Sequence, residues 1–125
     1  MALWTGCGKE EPPAKPELPK IAAPGWTLGA YQAAPPPAGV PAPTQCWKAE
    51  YTGKLSATIL VCGYGTTGSA FDAAQRAPTG ANTVKFDEGR YLVIASCLAL
   101  SDPAGRDDFK SLVRAVQAKL RPTTK

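Results

Sequence analysis

Apolar and polar residues alternate along the segment that begins at Trp47. Trp47, Ala49 and Tyr51 fall on one face, with charged or polar side chains between them, which predicts a half-buried strand. The next apolar run, residues 57–62, is rich in β-branched side chains and predicts a more buried strand. A turn at Gly53 separates the two runs, so we expect them to form an antiparallel hairpin.

A second hairpin is predicted between residues 83 and 98, in "TVKFDEGRYLVIASCL". Two β-rich runs, 83–87 and 90–98, are joined by a tight turn at Glu88 and Gly89. So short a connection brings the second run back beside the first.

Two helices are predicted, one after each hairpin. Thr66 or Thr67 is the expected N-cap of a short helix that Pro78 stops, and the final helix is expected to start near Asp102, with Gly105 delaying its regular part. The expected inward-facing residues are Ala70, Phe71 and Ala74 in the first helix, and Phe109, Leu112, Val113, Val116 and Leu120 in the second.

The element order is therefore strand, strand, helix, strand, strand, helix. This order predicts a small α+β fold, a two-layer sandwich with both helices on one face of an antiparallel sheet. Trp26 and Leu28 are expected to add a short edge strand or a lid under the Pro-rich loop.

The distribution of proline predicts the domain layout. Ten of the thirteen prolines lie between Pro12 and Pro43, and this composition disfavours a packed core in that stretch. We expect a truncated signal peptide at residues 1–7, a disordered Pro-rich tether at 8–25 and a disordered tail at 122–125. The single α+β domain is expected at 26–121, with a Pro-rich loop at 33–45.

Composition disfavours several classes of function. The chain has no histidine, the commonest general base near neutral pH and the commonest metal ligand, so we expect no catalytic residues, no metal and no cofactor. The net charge of +4 is spread without a basic block, which disfavours nucleic-acid binding. No apolar run reaches the roughly eighteen residues of a membrane span.

The N-terminal residues resemble the lipobox of bacterial lipoproteins. Thr5 and Gly6 precede Cys7, and charged and proline residues follow it at once. The resemblance implies that Cys7 carries a thioether-linked lipid. Only six residues precede Cys7, fewer than a signal peptide needs, so we expect the printed start to fall within a longer signal peptide. The alternative is an ordinary N-terminus with one stray cysteine.

The region from Trp26 onward resembles an uncharacterised family of bacterial envelope lipoproteins. The similar motifs are "GW" at 25–26, "WKAEY" at 47–51, "SAF" at 69–71 and "FDEGRYLVI" at 86–94. The resemblance implies a lipid-anchored extracytoplasmic domain and transfers no catalytic residue.

The three remaining cysteines allow more than one disulfide arrangement. Cys46 and Cys62 lie near the open end of the first hairpin, whereas Cys62 and Cys97 both lie in runs expected to be buried. Either pair could bridge if its Cα atoms come within about 7 Å. Three buried thiols without a bond are the third possibility.

Glycines at 63, 65 and 68 match the spacing of a dinucleotide-binding turn. They separate a predicted strand from a predicted helix, and Asp87 lies where a ribose-binding carboxylate would be expected. The tight turn after Asp87 leaves no room for the second crossover helix that a dinucleotide-binding fold requires. We therefore interpret the glycines as the exit of a strand and a turn, with Gly63 or Gly65 at positive φ.

Two function hypotheses follow. The first is a non-enzymatic, lipid-anchored domain of the bacterial cell envelope, facing the periplasm or exterior, that binds or scaffolds an envelope protein or cell-wall component. The alternative is a cytoplasmic nucleotide-binding regulatory protein that uses Gly63, Gly65, Gly68 and Asp87.

Overall fold

The fold is known from a computed structural model, which describes residues 14–22, 25–78, 80, 82–97 and 103–121. Six strands and two helices occur in these ranges. In chain order they are β1 (Ile21–Ala22), β2 (Trp26–Ala34), β3 (Gln45–Thr52), β4 (Ser56–Gly63), α1 (Thr67–Arg76), β5 (Thr83–Glu88), β6 (Tyr91–Cys97) and α2 (Pro103–Leu120). The predicted tail and Cys7 lie outside the described residues.

The strands form one six-stranded sheet in the order β1-β2-β3-β4-β6-β5, and every neighbouring pair is antiparallel. The sheet curls into a half-barrel. Both predicted hairpins are present: β3 pairs with β4 from Gln45–Gly63 to Thr52–Ser56, and β5 pairs with β6 across a turn at Gly89, whose φ is 61°.

The two helices pack on opposite faces of this sheet. Ile59 of β4 and Val93 of β6 lie in one buried cluster with Leu112 of α2, whereas Leu92 of β6 lies in a second cluster with Ala73 of α1. We refer to these as the α2 face and the α1 face. Cys62 of β4 also lies in the second cluster, so β4 and β6 each have buried residues on both faces of the sheet.

The predicted two-layer α+β sandwich is wrong. The structure is mostly antiparallel sheet, with six strands rather than four and with helices on both faces. The physical reason lies in β4, where apolar residues run almost continuously from Ala57 to Cys62. A strand that is apolar on both faces needs cover on both faces.

β2 is a nine-residue strand inside the sheet, not a short edge strand. Its register against β3 shifts between Leu28 and Tyr31, at a β-bulge or irregularity. Trp26 at its start is buried, and its indole Nε1 donates a hydrogen bond to the Asp108 carbonyl of α2 at 2.9 Å. This hydrogen bond links the start of β2 to α2.

Residues 14–22, which composition assigned to the tether, lie against the sheet. Leu18 and Ala22 are buried in the α2-face cluster, and Ile21–Ala22 pair with β2 as strand β1. The structured part of the chain thus includes residues on the N-terminal side of Trp26.

The first helix has the predicted N-cap and a different inward face. Thr66 is the N-cap, with its Oγ1 accepting a hydrogen bond from the Ser69 amide at 3.0 Å. The prediction for Phe71 is wrong: its side chain is 56% exposed, and the buried residues of α1 are Ala70, Ala73 and Ala74. Small alanine side chains let α1 lie close to the sheet.

The second helix carries the predicted apolar stripe. Phe109, Leu112, Val116 and Leu120 are buried, and Val113 packs against the same cluster. Regular helix begins at Pro103, so Gly105 does not delay it.

Candidate functional site

All four tyrosines of the chain make the same type of contact. Each hydroxyl donates a hydrogen bond to a backbone carbonyl in one of the two Pro-rich segments. The pairs are Tyr91 with Ala14 (2.6 Å), Tyr31 with Pro16 (2.6 Å), Tyr51 with Pro19 (2.6 Å) and Tyr64 with Pro41 (2.8 Å). A proline has no N–H and cannot join a sheet ladder through that group, but its carbonyl still accepts a hydrogen bond, and here the tyrosine hydroxyls are the donors.

Three of these tyrosines form one surface, which we call the tyrosine groove. Tyr31 lies on β2, Tyr51 on β3 and Tyr91 at the start of β6, and all three pack with the α2-face cluster. Tyr51 is directly opposite Leu28 in the sheet, and Leu28 packs on the same cluster. The sheet therefore fixes the spacing of the three hydroxyls.

The tyrosine groove is occupied by residues 14–20, which we call the PELP segment after its sequence at 16–19. Residues 14–19 form neither helix nor strand. Leu18 is the buried side chain of this segment, only 5% exposed, and the Lys20 carbonyl accepts a hydrogen bond from the Leu28 amide at 2.8 Å. The segment is held mainly through its carbonyls and one apolar anchor.

Charged side chains border the PELP segment. The Lys15 ammonium donates a hydrogen bond to the Tyr31 carbonyl at 2.8 Å and lies 4.3 Å from the centre of the Tyr31 ring. Lys119 of α2 lies 3.7 Å from the Glu17 carboxylate. A surface cavity of about 470 Å³ opens here, lined by residues 15–20 and by Leu28, Tyr31 and Lys119.

Burial raises the pKa of every tyrosine. Loss of water around the hydroxyl raises the pKa of Tyr51 to about 12 and raises that of Tyr31 further, with added repulsion from Tyr51 and Tyr91. The pKa values of Tyr64 and Tyr91 are raised by the same loss of water. The hydroxyls therefore remain protonated hydrogen-bond donors at physiological pH.

The second Pro-rich segment, which contains Pro41, is bound at the α1 face of the sheet. Tyr64, which packs with the α1-face cluster, donates to the Pro41 carbonyl, and Val40 packs on the same cluster. Both the amide and the hydroxyl of Thr44 donate to the Gly63 carbonyl, at 2.8 and 3.0 Å. This loop covers the edge of the α1 face.

The structure selects one of the predicted cysteine arrangements. Cys46 and Cys62 are directly opposite each other on β3 and β4, with Cα atoms 4.1 Å apart, and form a disulfide. Both are buried in the α1-face cluster. Cys97 is buried on the α2 face, outside this bond, and burial raises the pKa of its thiol.

The residues of the glycine motif lie at a strand exit. Gly63 ends β4, Gly65 lies in the connection and Gly68 is the second residue of α1. The expected positive φ is found at neither Gly63 nor Gly65; the described glycines with positive φ are Gly39 and Gly89.

Asp87 is separated from this motif by a strand. β4 and β5 are both antiparallel to β6, which lies between them, so β4, α1 and β5 form a split β-α-β unit. Asp87 pairs with Leu92, which pairs with Cys62, and two strand spacings are roughly 10 Å. In a dinucleotide-binding unit the two parallel strands are adjacent.

Sequence reasoning missed the tyrosine groove. Alternation placed Tyr51 on a buried face, but no pattern indicated that its hydroxyl meets the Pro19 carbonyl 32 residues away in sequence. The coincidence of two Pro-rich stretches with four tyrosines in a chain of 125 residues is the only available indication.

Comparison with protein-family models, with curated proteins and with solved structures found no match to this chain. The described residues contain no group of three or more side chains suited to a metal ion. None of the helices within the described ranges has the length and apolar character needed to cross a bilayer.

Proposed function

We propose that this chain is a non-enzymatic binding or scaffolding domain of the bacterial cell envelope, anchored by lipid on Cys7. It faces the periplasm or the exterior, and its partner is an envelope protein or a cell-wall component. The resemblance of residues 5–7 to a lipobox supports the anchor.

The observation that carries the proposal is the buried disulfide. Cys46 and Cys62 bridge the two longest-paired strands of the sheet. Disulfides of this kind persist in oxidising compartments and are rare in the cytosol. The bond therefore supports an extracytoplasmic location and weighs against the cytoplasmic alternative.

The docked PELP segment limits how far the domain can lie from a lipid on Cys7. Ala14 is held at the Tyr91 hydroxyl, and the chain between Cys7 and Ala14 spans at most about 25 Å when fully extended. An anchored domain would thus remain close to the membrane surface, with the Ala14 end nearest to it.

The binding role is supported by the tyrosine groove, where fixed donors and one apolar site already hold an extended segment. Aromatic-lined grooves that dock extended Pro-rich segments are a recurring mode of peptide recognition. A scaffold built on this groove would need no reacting group.

The anchor is tested by metabolic labelling. The protein is expressed with its native upstream sequence in the presence of a radioactive fatty acid. We expect label in the wild-type chain and in Cys97→Ala, which serves as the matched control, and none in Cys7→Ala. Equal labelling of Cys7→Ala would refute the lipid anchor.

The location is tested on the same protein by alkylation under denaturing conditions. With Cys7 acylated, we expect one alkylated thiol, Cys97, without reductant and three after reduction. Three alkylated thiols without reductant would show that Cys46 and Cys62 are unbridged in the cell, which contradicts the extracytoplasmic assignment.

A further inference from the structure

We propose that the tyrosine groove is a recognition site for proline-rich peptides of other proteins, and that the PELP segment is its intramolecular occupant. The ligand has the spacing P-x-Φ-P, in which Φ is a large apolar residue. This inference rests on the proposed binding role but does not require the lipid on Cys7.

The spacing of the contacts matches a polyproline II ligand. Pro16 and Pro19 are three residues apart, and both of their carbonyls accept tyrosine hydrogen bonds. A polyproline II helix has three residues per turn, so groups three residues apart lie on one side. PxxP segments that dock on aromatic-lined grooves are recognised in this way.

The residues between the two prolines define the preference of the site. Leu18 is buried, which requires an apolar residue at this position. Glu17 is exposed and lies 3.7 Å from Lys119, an arrangement that favours an acidic or polar residue there. The groove therefore binds the backbone of the ligand through the tyrosine hydroxyls and recognises one ligand side chain through its apolar site.

The PELP segment is suited to exchange because it is held mainly by carbonyl acceptors and one apolar side chain, which another P-x-Φ-P peptide would also supply. Its prolines have no amide N–H, and its buried side chain is that of Leu18 alone among residues 14–20. A Pro-rich chain loses little conformational freedom on binding, since it is already restricted.

The intramolecular segment competes with any external peptide. A covalently linked segment reaches an effective concentration in the millimolar range. A peptide added to the wild-type chain therefore meets an occupied site. Its apparent affinity equals its intrinsic affinity multiplied by the fraction of molecules in which the groove is open.

The test measures fluorescence anisotropy of a labelled peptide, PPAKPELPK, titrated with full-length protein. Leu18→Ala removes the apolar anchor of the PELP segment and should open the groove, so we expect it to bind at least about tenfold tighter than wild type. Ile21→Ala is the matched control, because Ile21 is a large apolar residue of the same region that is 76% exposed. It should bind as wild type does.

The groove is tested from its own side in the Leu18→Ala chain. Tyr51→Phe deletes one hydroxyl donor and should weaken the peptide by about three- to tenfold. Tyr64→Phe deletes the hydroxyl that serves the other Pro-rich segment and should leave affinity unchanged. A labelled peptide with aspartate in place of its leucine should not bind.

A second measurement covers the case in which Leu18→Ala does not fold. The Leu28 amide of wild type is hydrogen-bonded to the Lys20 carbonyl. This measurement uses the amidated peptide PPAKPELP, which ends at the second proline and lacks that carbonyl, so displacement of the PELP segment by excess peptide should accelerate the hydrogen exchange of the Leu28 amide. The exchange of the Ala77 amide, which donates to the Ala73 carbonyl at the end of α1, should not change.

Absence of binding by folded Leu18→Ala, or unchanged Leu28 exchange at saturating peptide where that variant is unfolded, would overturn the inference. Exchange of the segment between two copies, detected as a concentration-dependent dimer that peptide does not dissociate, would also overturn it. Loss of the lipid label alone would refute the anchor and leave the groove unaffected, so the two failures are distinguishable.

Discussion

Reduction of the disulfide between Cys46 and Cys62 is expected to lower the free energy of unfolding by about 3 kcal/mol at 25 °C. The two cysteines are 16 residues apart in sequence and directly opposite each other in the sheet. The disulfide therefore closes a loop of moderate length in the unfolded chain. The conformational entropy that this loop loses sets the size of the stabilisation.

Reduction should raise the conformational entropy of the unfolded chain and leave the native fold unchanged. β3 and β4 stay paired over eight residue pairs, and both cysteine side chains are buried in the α1-face cluster. Reduction separates the two sulfur atoms from bonding distance to van der Waals contact, a local side-chain movement beside strands that remain paired.

The assay is urea unfolding with and without reductant, followed by fluorescence of Trp26 and Trp47, both of which are buried. The Cys46→Ala, Cys62→Ala double variant is the control and should not respond to reductant. Equal free energies for oxidised and reduced wild type, within about 0.5 kcal/mol, would refute the loop-entropy argument.

Three further predictions concern the core, the first helix and the tyrosines. Leu112→Ala should destabilise the fold by about 2–5 kcal/mol, whereas Phe71→Ala, at an exposed helix position, should change stability by less than about 0.5 kcal/mol, both measured by urea unfolding. Thr66→Ala should cost about 1 kcal/mol because the N-cap acceptor is lost, and Thr67→Ala should cost little. Because the pKa of Tyr51 is about 12 in the fold against 10.0 in an exposed tyrosine, the folded state holds more protons between these values than the unfolded state. The contribution of Tyr51 to stability should therefore be constant below pH 10 and should fall as pH rises from 10 to 12. The loss should be at most about 1.4 kcal/mol per pH unit for each such tyrosine. A pH series of thermal melts would check this.

The elements with strong local patterns were predictable from the sequence. The alternation at Trp47–Tyr51, the turn at Gly89 and the capping threonine each act through neighbouring residues, and the structure confirms both hairpins and the Thr66 N-cap. The stripe of α2 was predictable because four large apolar residues recur at helical spacing.

The arrangement of the layers was not predicted, because it depends on which faces are covered. The continuous apolar run of β4 was available as evidence for burial on both sides. β2 was harder to recognise, since Gly29, Ala30, Ala33 and Ala34 dilute its apolar alternation and a register shift interrupts it between Leu28 and Tyr31.

The PELP segment lies within the stretch for which composition predicts a tether, and the reason bears on its proposed role. Proline is depleted in strands and helices because it lacks a donor, so composition predicted a solvated tether. The fold instead supplies the donors from Tyr31, Tyr51 and Tyr91 and buries Leu18 among the side chains of the α2 face.

The same contact sets a condition on any external ligand. α2 has eighteen residues, about 27 Å of helix, and the PELP segment shares with it the covering of the α2 face. Release of the segment would expose the apolar site that Leu18 fills, at a cost that grows with the apolar area returned to water. A peptide that supplies only prolines would leave that cost uncompensated. Exchange is therefore favourable only for a ligand that restores both the carbonyl acceptors and an apolar side chain between them.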